Sequence, residues 1–222
     1  MNEEQSIGQV IKEIPHDVRW VIVVDNGSED STALVAREHG AQVVLEPRRG
    51  YGHACLAGIA NLPADAEVVV FMDGDYSDYP AELSELVSVM VERQADLVVG
   101  SRVLGQSEKG SLTPQQRFGN WLSTRLIHVL YGFSFTDLGP FRAIRADALR
   151  RLNMRDGTYG WTVEMQVKAL LHRMKVVEIP VRYRKRIGKS KISGTISGSV
   201  KAGAKILWTI AKLTMQKAHG GL

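Results

Sequence analysis

The apolar run Val68-Val69-Val70-Phe71-Met72 ends abruptly in Asp73-Gly74-Asp75. A short β-branched and aromatic run of this kind, bounded by a turn, is a buried strand. Side chains alternate along a strand, so Asp73 and Asp75, one residue apart, emerge on the same side at its carboxyl end. Two hard oxygen ligands at that place suit Mg²⁺ or Mn²⁺ carrying a diphosphate. A solvated acidic turn would contain the same two residues, so the choice between the readings falls to the rest of the chain.

The first half alternates between helix and strand. Ile7, Val10, Ile11 and Ile14 share one helix face, and Pro15 follows. Residues 20–24 form a strand ending at Asp25, 31–38 a helix closed by Gly40, and 42–45 a short strand. Residues 51–60 form a helix, 67–72 the central strand, 81–91 a helix opened by Pro80, and 96–100 a further strand. This alternation, with nearly continuous apolar strands, predicts an α/β fold: a mostly parallel, Rossmann-like sheet with helices on both faces. Ligands of such a sheet bind at the carboxyl ends of its strands, where Asp25 and Asp73 stand. The second half is less regular. It reads as a helix over 115–130 after Pro114, a short strand at 141–144, a helix at 162–173 and a strand at 175–181. A basic, Gly/Ser-rich loop over 182–194 then leads into a last helix reaching residue 217. There is no internal repeat and no low-complexity tract.

Charge is divided along the chain. The net charge of +4 is the sum of −11 over residues 1–110 and +15 over residues 111–222. An acidic half able to hold a metal and a basic half able to face phosphate or membrane account for the division. Nucleic-acid binding is set aside because no nucleic-acid motif accompanies the charge. With 44% hydrophobic residues among 222, the chain can bury a real core. Its one cysteine, Cys55, lies among Ala54, Leu56 and Ala57 and reads as a small core residue, in keeping with a reducing compartment. The polar N-terminus carries no signal peptide pattern, and no stretch reaches the ~18 apolar residues of a spanning helix.

Three clusters occur in order. In Val24-Asp25-Asn26-Gly27-Ser28-Glu29-Asp30-Ser31-Thr32, Asp25 can accept hydrogen bonds from a base or ribose, Gly27 permits a tight turn, and Asp30 or Ser31 can cap the next helix. The Asp73/Asp75 pair is the second. In the third, Arg184-Lys185-Arg186-Ile187-Gly188-Lys189-Ser190-Lys191, cations among flexible residues suit a lid over a diphosphate. Trp161 is either core packing or an acceptor platform, and His53, His128 and His172 lack metal-ligand spacing and read as structural.

These pieces resemble the family 2 glycosyltransferases of the GT-A fold, from Asn2-Glu3-Glu4 to near Lys205, and within them the dolichyl- and polyprenyl-phosphate sugar synthases. The pieces that carry the resemblance are Val24-Asp25-Asn26-Gly27-Ser28, Asp73-Gly74-Asp75, Gly100-Ser101-Arg102, Thr136-Asp137-Leu138-Gly139-Pro140-Phe141-Arg142 and Gly188-Lys189-Ser190-Lys191. The resemblance implies a UDP- or GDP-sugar donor, inversion at the sugar carbon and a polyprenyl-phosphate acceptor. It places Glu3, Asp25, Gly27, Ser28, Asp73, Lys189, Ser190 and Lys191 on the nucleotide-sugar, and the metal, Mg²⁺ or Mn²⁺, on Asp73 and Asp75. Catalysis then falls to Asp75, with Arg102 and Arg117 facing the acceptor phosphate and Asp137 beside the acceptor. A phosphate nucleophile is already ionised at neutral pH and needs positioning rather than a base. A hydroxyl acceptor would need one, for which Asp137 and Glu164 are the candidates, against a loop cap and a helix-face ion pair.

Two departures accompany the resemblance. Relatives begin with a strand ahead of the Asn-Glu segment, and here that first strand is expected to be lacking, so the chain is either internal to a longer protein or impaired. Tyr76-Ser77-Asp78-Tyr79-Pro80 replaces a segment that in many relatives supplies a third metal contact, leaving Ser77 or Asp78 for that role. The expected organisation is a glycosyltransferase domain over 1–194 and an amphipathic helix over 195–222, either packed on the domain or lying at the cytoplasmic membrane face. Transfer to a soluble acceptor, a non-catalytic nucleotide-binding protein and a nucleotidyltransferase are the alternatives.

Overall fold

A computed structural model describes residues 1–188 and 196–218. Among the described residues, six strands lie in two sheets. Strands β1 (Ile22–Asp25) and β2 (Gln42–Leu45) pair in parallel, with Ile22 opposite Gln42. The larger sheet has the order β3-β5-β4-β6, from Val68–Phe71, Arg142–Arg145, Leu97–Ser101 and Val176–Pro180. The helices are α1 (Ile7–Glu13), α2 (Thr32–Glu38), α3 (Tyr51–Ala60), α4 (Leu83–Glu92), α5 (Pro114–Tyr131), α6 (Ala146–Leu152), α7 (Trp161–Leu171) and α8 (Ile196–Ala218), with a 3₁₀ turn at Pro80–Glu82.

The larger sheet is mostly parallel, as expected: β3, β4 and β6 run the same way and one strand between them is reversed. β4 and β6 are parallel, but β5 runs antiparallel to both β3 and β4. The reason is where the chain re-enters. A parallel neighbour needs a crossover to the opposite end of the sheet, whereas the excursion from Arg102 to Phe141 leaves β4 and enters β5 at the same end. That excursion holds α5 and the loop bearing Asp137, and it returns them to the carboxyl end of β3 and β4. β1 and β2 form no hydrogen-bonded pair with the larger sheet among the described residues.

Alternation along the strands sorts the core onto two faces. Leu97, Val99, Val69 and Ile144 pack with Trp161, Val163 and Val167 of α7. Val98 and Ala143 point the other way, against Leu83, Leu86 and Met90 of α4. Both faces are covered, and every residue of β4 is buried. Ile7 of α1 and Ala36 of α2 cover the small sheet. α8 lays Ile210 and Leu213 into the main core, fully buried side chains that are each worth about 1.5–3 kcal/mol. α5 begins at a Thr113–Gln116 capping box with Pro114 in its first turn, and ends where Gly132 turns left-handed at φ +74°.

Candidate active site

The acidic end of the site is built from loops at strand termini. Asp25 closes β1, is 6% exposed, and accepts the Ser28 backbone N–H at 3.2 Å and the Ser28 hydroxyl. Gly27 permits this turn at φ +79°, where a side chain would be strained. Asn26 donates to the carbonyls of Glu46 (2.8 Å) and Arg48 (2.7 Å) and accepts from Gly50 N–H, locking the loops after β1 and β2 together. The N-terminal segment is tied to the same place. Asn2 N–H donates to Ser28 Oγ, Glu3 N–H to Thr32 Oγ1, and Ser6 Oγ to the Gly74 carbonyl at 2.9 Å.

Beyond β3, the Asp73-Gly74-Asp75 turn is braced from below. Asp75 Oδ1 accepts Ser77 N–H at 3.0 Å and Ser77 Oγ at 2.5 Å. Asp78 Oδ2 accepts the Asp73 backbone N–H at 3.2 Å, while its Oδ1 is buried with no partner. Burial pushes the Asp78 carboxyl up to about 7. Burial, then repulsion from Asp75 and Asp78, holds Asp73 well above the usual carboxylate range. The Asp73 carboxylate takes no hydrogen bond among the described residues, and beside it Arg186 Nη1 lies 3.0 Å from Asp75 Oδ2, so Asp73 is held in burial next to a second carboxylate with no cation bonded to it among those residues. A divalent cation fits such a pair, because Mg²⁺ takes one or two carboxylates and fills its shell with water and substrate phosphate. No cluster of three or more His, Cys, Asp and Glu able to hold a metal occurs among the described residues. Ser77 and Asp78 are turned toward Asp75 and the Asp73 backbone, and brace the pair rather than extend it.

The basic end lies where the 102–141 excursion folds back. Arg102 and Asp137 form a forked pair: Nε to Oδ2 at 2.7 Å and Nη2 to Oδ1 at 2.8 Å, with Arg102 N–H also on Oδ2. Asp137 is 1% exposed and the Arg102 side chain 14%. The pair is held from three sides. Glu178 of β6 accepts the N–H groups of Thr136 and Asp137, Gln166 of α7 donates to the Asp137 carbonyl at 2.9 Å, and Asn120 of α5 bridges Thr136 and Leu138. A cavity of about 610 Å³ opens beside it, lined by Arg102, Arg117, Asn120, Trp121, Asp137 and Ile206 among others. Arg117 is exposed on α5 at its margin.

The structure thus gathers Glu3, Asp25, Gly27, Ser28, Asp73 and Asp75 on loops joined by hydrogen bonds, and Arg102, Arg117 and Asp137 at the cavity. Lys189, Ser190 and Lys191 lie outside the described residues. Glu164 makes the helix-face ion pair: its carboxylate receives Lys168 Nζ at 2.7 Å and the N–H groups of Arg155 and Asp156, and it is 4% exposed. Trp161 is fully buried against Phe71, ring centroids 4.8 Å apart, and is core. Arg186, Asn120 and Glu178 were not singled out from sequence. Arg186 stood in a run of cations with nothing to mark it, and the other two act through contacts many residues distant.

The family profile described as glycosyl transferase family 2 matches residues 1–152. An uncharacterized glycosyltransferase of Mycobacterium tuberculosis (strain ATCC 25618 / H37Rv) is 39% identical over 202 residues, covering 90% of this chain and 89% of that protein. A dolichyl-phosphate hexose transferase of Haloferax volcanii is 31% identical over 201 residues, covering 89% of this chain and 86% of that protein. Among solved structures, glucosyl-3-phosphoglycerate synthase from Mycobacterium tuberculosis, in complex with Mn²⁺, UDP-glucose and phosphoglyceric acid, matches 96% of this chain and 77% of its own. Its TM-score is 0.76 at 21% identity, a likeness of fold.

Proposed function

The chain belongs to glycosyl transferase family 2 and has the GT-A fold, and on that premise we propose that it moves a hexose, with inversion, from a UDP- or GDP-sugar to a polyprenyl phosphate of dolichyl or undecaprenyl type. The observation that carries the acceptor reading is the cavity beside Arg102 and Arg117, which opens between α5 and α8. Large apolar side chains are exposed on both helices: Phe118 and Trp121 of α5, with ring centroids 6.0 Å apart, are 62% and 58% exposed, and Trp208 of α8 is 58% exposed. Neither helix contains an acidic residue, while Arg117, Arg125, Lys201 and Lys212 are cationic. Exposed aromatics with cations and no anions suit the surface of an anionic membrane, which the chain would meet peripherally from the cytoplasmic face. No described helix is long and apolar enough to cross a membrane. The likeness to a protein named as a dolichyl-phosphate hexose transferase supports the same acceptor.

The residues divide the work by charge. Asp25, with Oδ1 held by Ser28, presents Oδ2 to the nucleoside. Asp73 and Asp75 would hold Mg²⁺ or Mn²⁺, which when bound supplies charge neutralisation to the departing nucleoside diphosphate. Arg102 and Arg117 hold the acceptor phosphate, already anionic, so that its oxygen attacks without a general base. Asp137 keeps the Arg102 guanidinium aimed, since both of its oxygens are engaged by that side chain. A soluble phosphorylated acceptor would meet the same two arginines, and the α5/α8 surface is what favours the lipid.

The test offers the full chain UDP- and GDP-hexoses labelled in the sugar, with Mn²⁺ and either undecaprenyl phosphate or small phosphorylated acids. Label entering the organic phase, with release of nucleoside diphosphate, is the expected result. Label only in water-soluble product would replace the lipid by a soluble acceptor, and release of inorganic diphosphate would make the chain a nucleotidyltransferase.

A further inference from the structure

The segment after β6 is fastened over the acidic turn by its own cations. Arg184 stacks on the Tyr76 ring with its guanidinium carbon 3.2 Å from the centroid, and donates to the Tyr76 carbonyl at 2.6 Å and to Glu13 at 2.8 Å. Backbone bonds add to this, with Arg184 N–H on the Ser77 carbonyl and Ile187 N–H on the Asp75 carbonyl at 3.0 Å. Held between them, Arg186 spans two parts of the chain that are far apart in sequence. Its Nη1 lies 3.0 Å from Asp75 Oδ2 and its Nη2 2.8 Å from Glu3 Oε1, while its Nε is buried with no partner. Asp75 Oδ1 is occupied by Ser77, so Oδ2 is the oxygen left to a metal ion, and Arg186 is on it.

We propose that Arg186 is an internal counter-cation for Asp75 that a divalent ion must displace, so that the ion binds weakly alone and tightly only with a nucleoside diphosphate. The inference rests on the metal reading of Asp73 and Asp75 given above. Its physical basis is simple. A guanidinium and a divalent cation cannot share one carboxylate oxygen at ligating distance without strong mutual repulsion, and the site is partly buried, where screening by water is weak. In the free chain Arg186 offsets the charge of Asp75 and of Glu3 and ties the N-terminal segment to the turn. A diphosphate arriving with the ion brings negative charge that offsets both cations, and the opposition falls. Arg186 thereby couples the order of binding to the seat of the 184–187 segment, and acts as a positioning residue.

Mn²⁺ binding followed by the electron paramagnetic resonance of the free ion tests this without reference to turnover. The full chain, Arg186→Gln and Arg186→Lys are titrated with Mn²⁺ alone and with UDP or GDP present, after thermal melts have shown each to be folded. Removing the charge in Arg186→Gln is expected to tighten nucleotide-free Mn²⁺ binding by about tenfold, the scale of one neighbouring charge, and to shrink the enhancement by nucleotide. Arg186→Lys keeps the charge and is expected to stay near the parent. Binding no tighter in Arg186→Gln, while the parent binds Mn²⁺ with nucleotide, overturns the inference alone. No Mn²⁺ binding by any of the three, with or without nucleotide, overturns the metal reading and this inference with it.

Discussion

Two arginines at one cavity carry different burdens, and substitution separates them. Arg102 is buried in a forked pair with Asp137, whereas Arg117 is exposed at the margin. Breaking a buried pair from one side leaves an uncompensated charge, which costs about 3 kcal/mol. Asp137→Asn is therefore expected to lower the melting temperature by about 10 °C in a chain of this size, as well as to abolish transfer. Arg117→Ala is expected to leave the melt within about 1–2 °C, since surface changes cost little, and to lower kcat/KM by roughly 10–100-fold through a lost charged hydrogen bond to the acceptor. Equal loss of stability in both variants would contradict the division. At this scale the sequence is partly legible. Asp73 and Asp75 follow from a strand's period and its end, because both are local properties. The partnerships of Arg102 with Asp137 and of Arg186 with Asp75 and Glu3 are not, because a string of cations in a loop does not say which carboxylate each will meet.

Elements were easier to read than their directions. Periodicity and capping residues put α1, α3, α5 and α7 within one or two residues of their observed ends, since these signals are carried by neighbours in sequence. The direction of β5 is set by where the 102–141 excursion returns, and α6 follows β5 with no turn residue between them, so neither left a local mark. α8 shows the same limit: its composition allowed a packed or an interfacial helix, and its buried Ile210 and Leu213 and exposed Trp208 and Met215 place it between core and solvent. A charged tie secures it. Lys205 Nζ lies 2.9 Å from Asp156 Oδ2, on the loop before α7. Burial alone would raise the Asp156 carboxyl, but hydrogen bonds from Lys205 and Thr158 hold it below the usual carboxylate range. A lowered folded value means stabilisation that is complete above about 4, the ordinary aspartate value, and is lost as the pH falls through the folded value. Amide exchange in α8 is therefore expected to accelerate relative to the core strands as the pH falls below about 4. Asp156→Asn should flatten that difference, and an unchanged pH response in the variant would exclude the tie as its cause.

Over the whole molecule, the two halves of unlike charge meet at the site. The acidic half supplies Glu3, Asp25, Asp73 and Asp75, while the cavity joins Arg102 and its neighbours from that half to helices α5 and α8 and the Asp137 loop from the basic half. Sedimentation with anionic vesicles probes the outer face of those helices: Phe118→Ser with Trp121→Ser is expected to weaken association about tenfold or more, as the loss of two buried aromatics implies, while leaving nucleotide binding intact. Equal partitioning of parent and variant would remove the membrane from the account. The central claim, however, is that Asp73 and Asp75 hold a metal-dependent nucleotide site. Calorimetric titration of the full chain with UDP and with GDP, with and without Mn²⁺, alongside Asp75→Ala, tests it most directly. The account predicts binding of one nucleotide that requires Mn²⁺ and is lost in the variant; binding that ignores Mn²⁺, or that survives in Asp75→Ala, would contradict it.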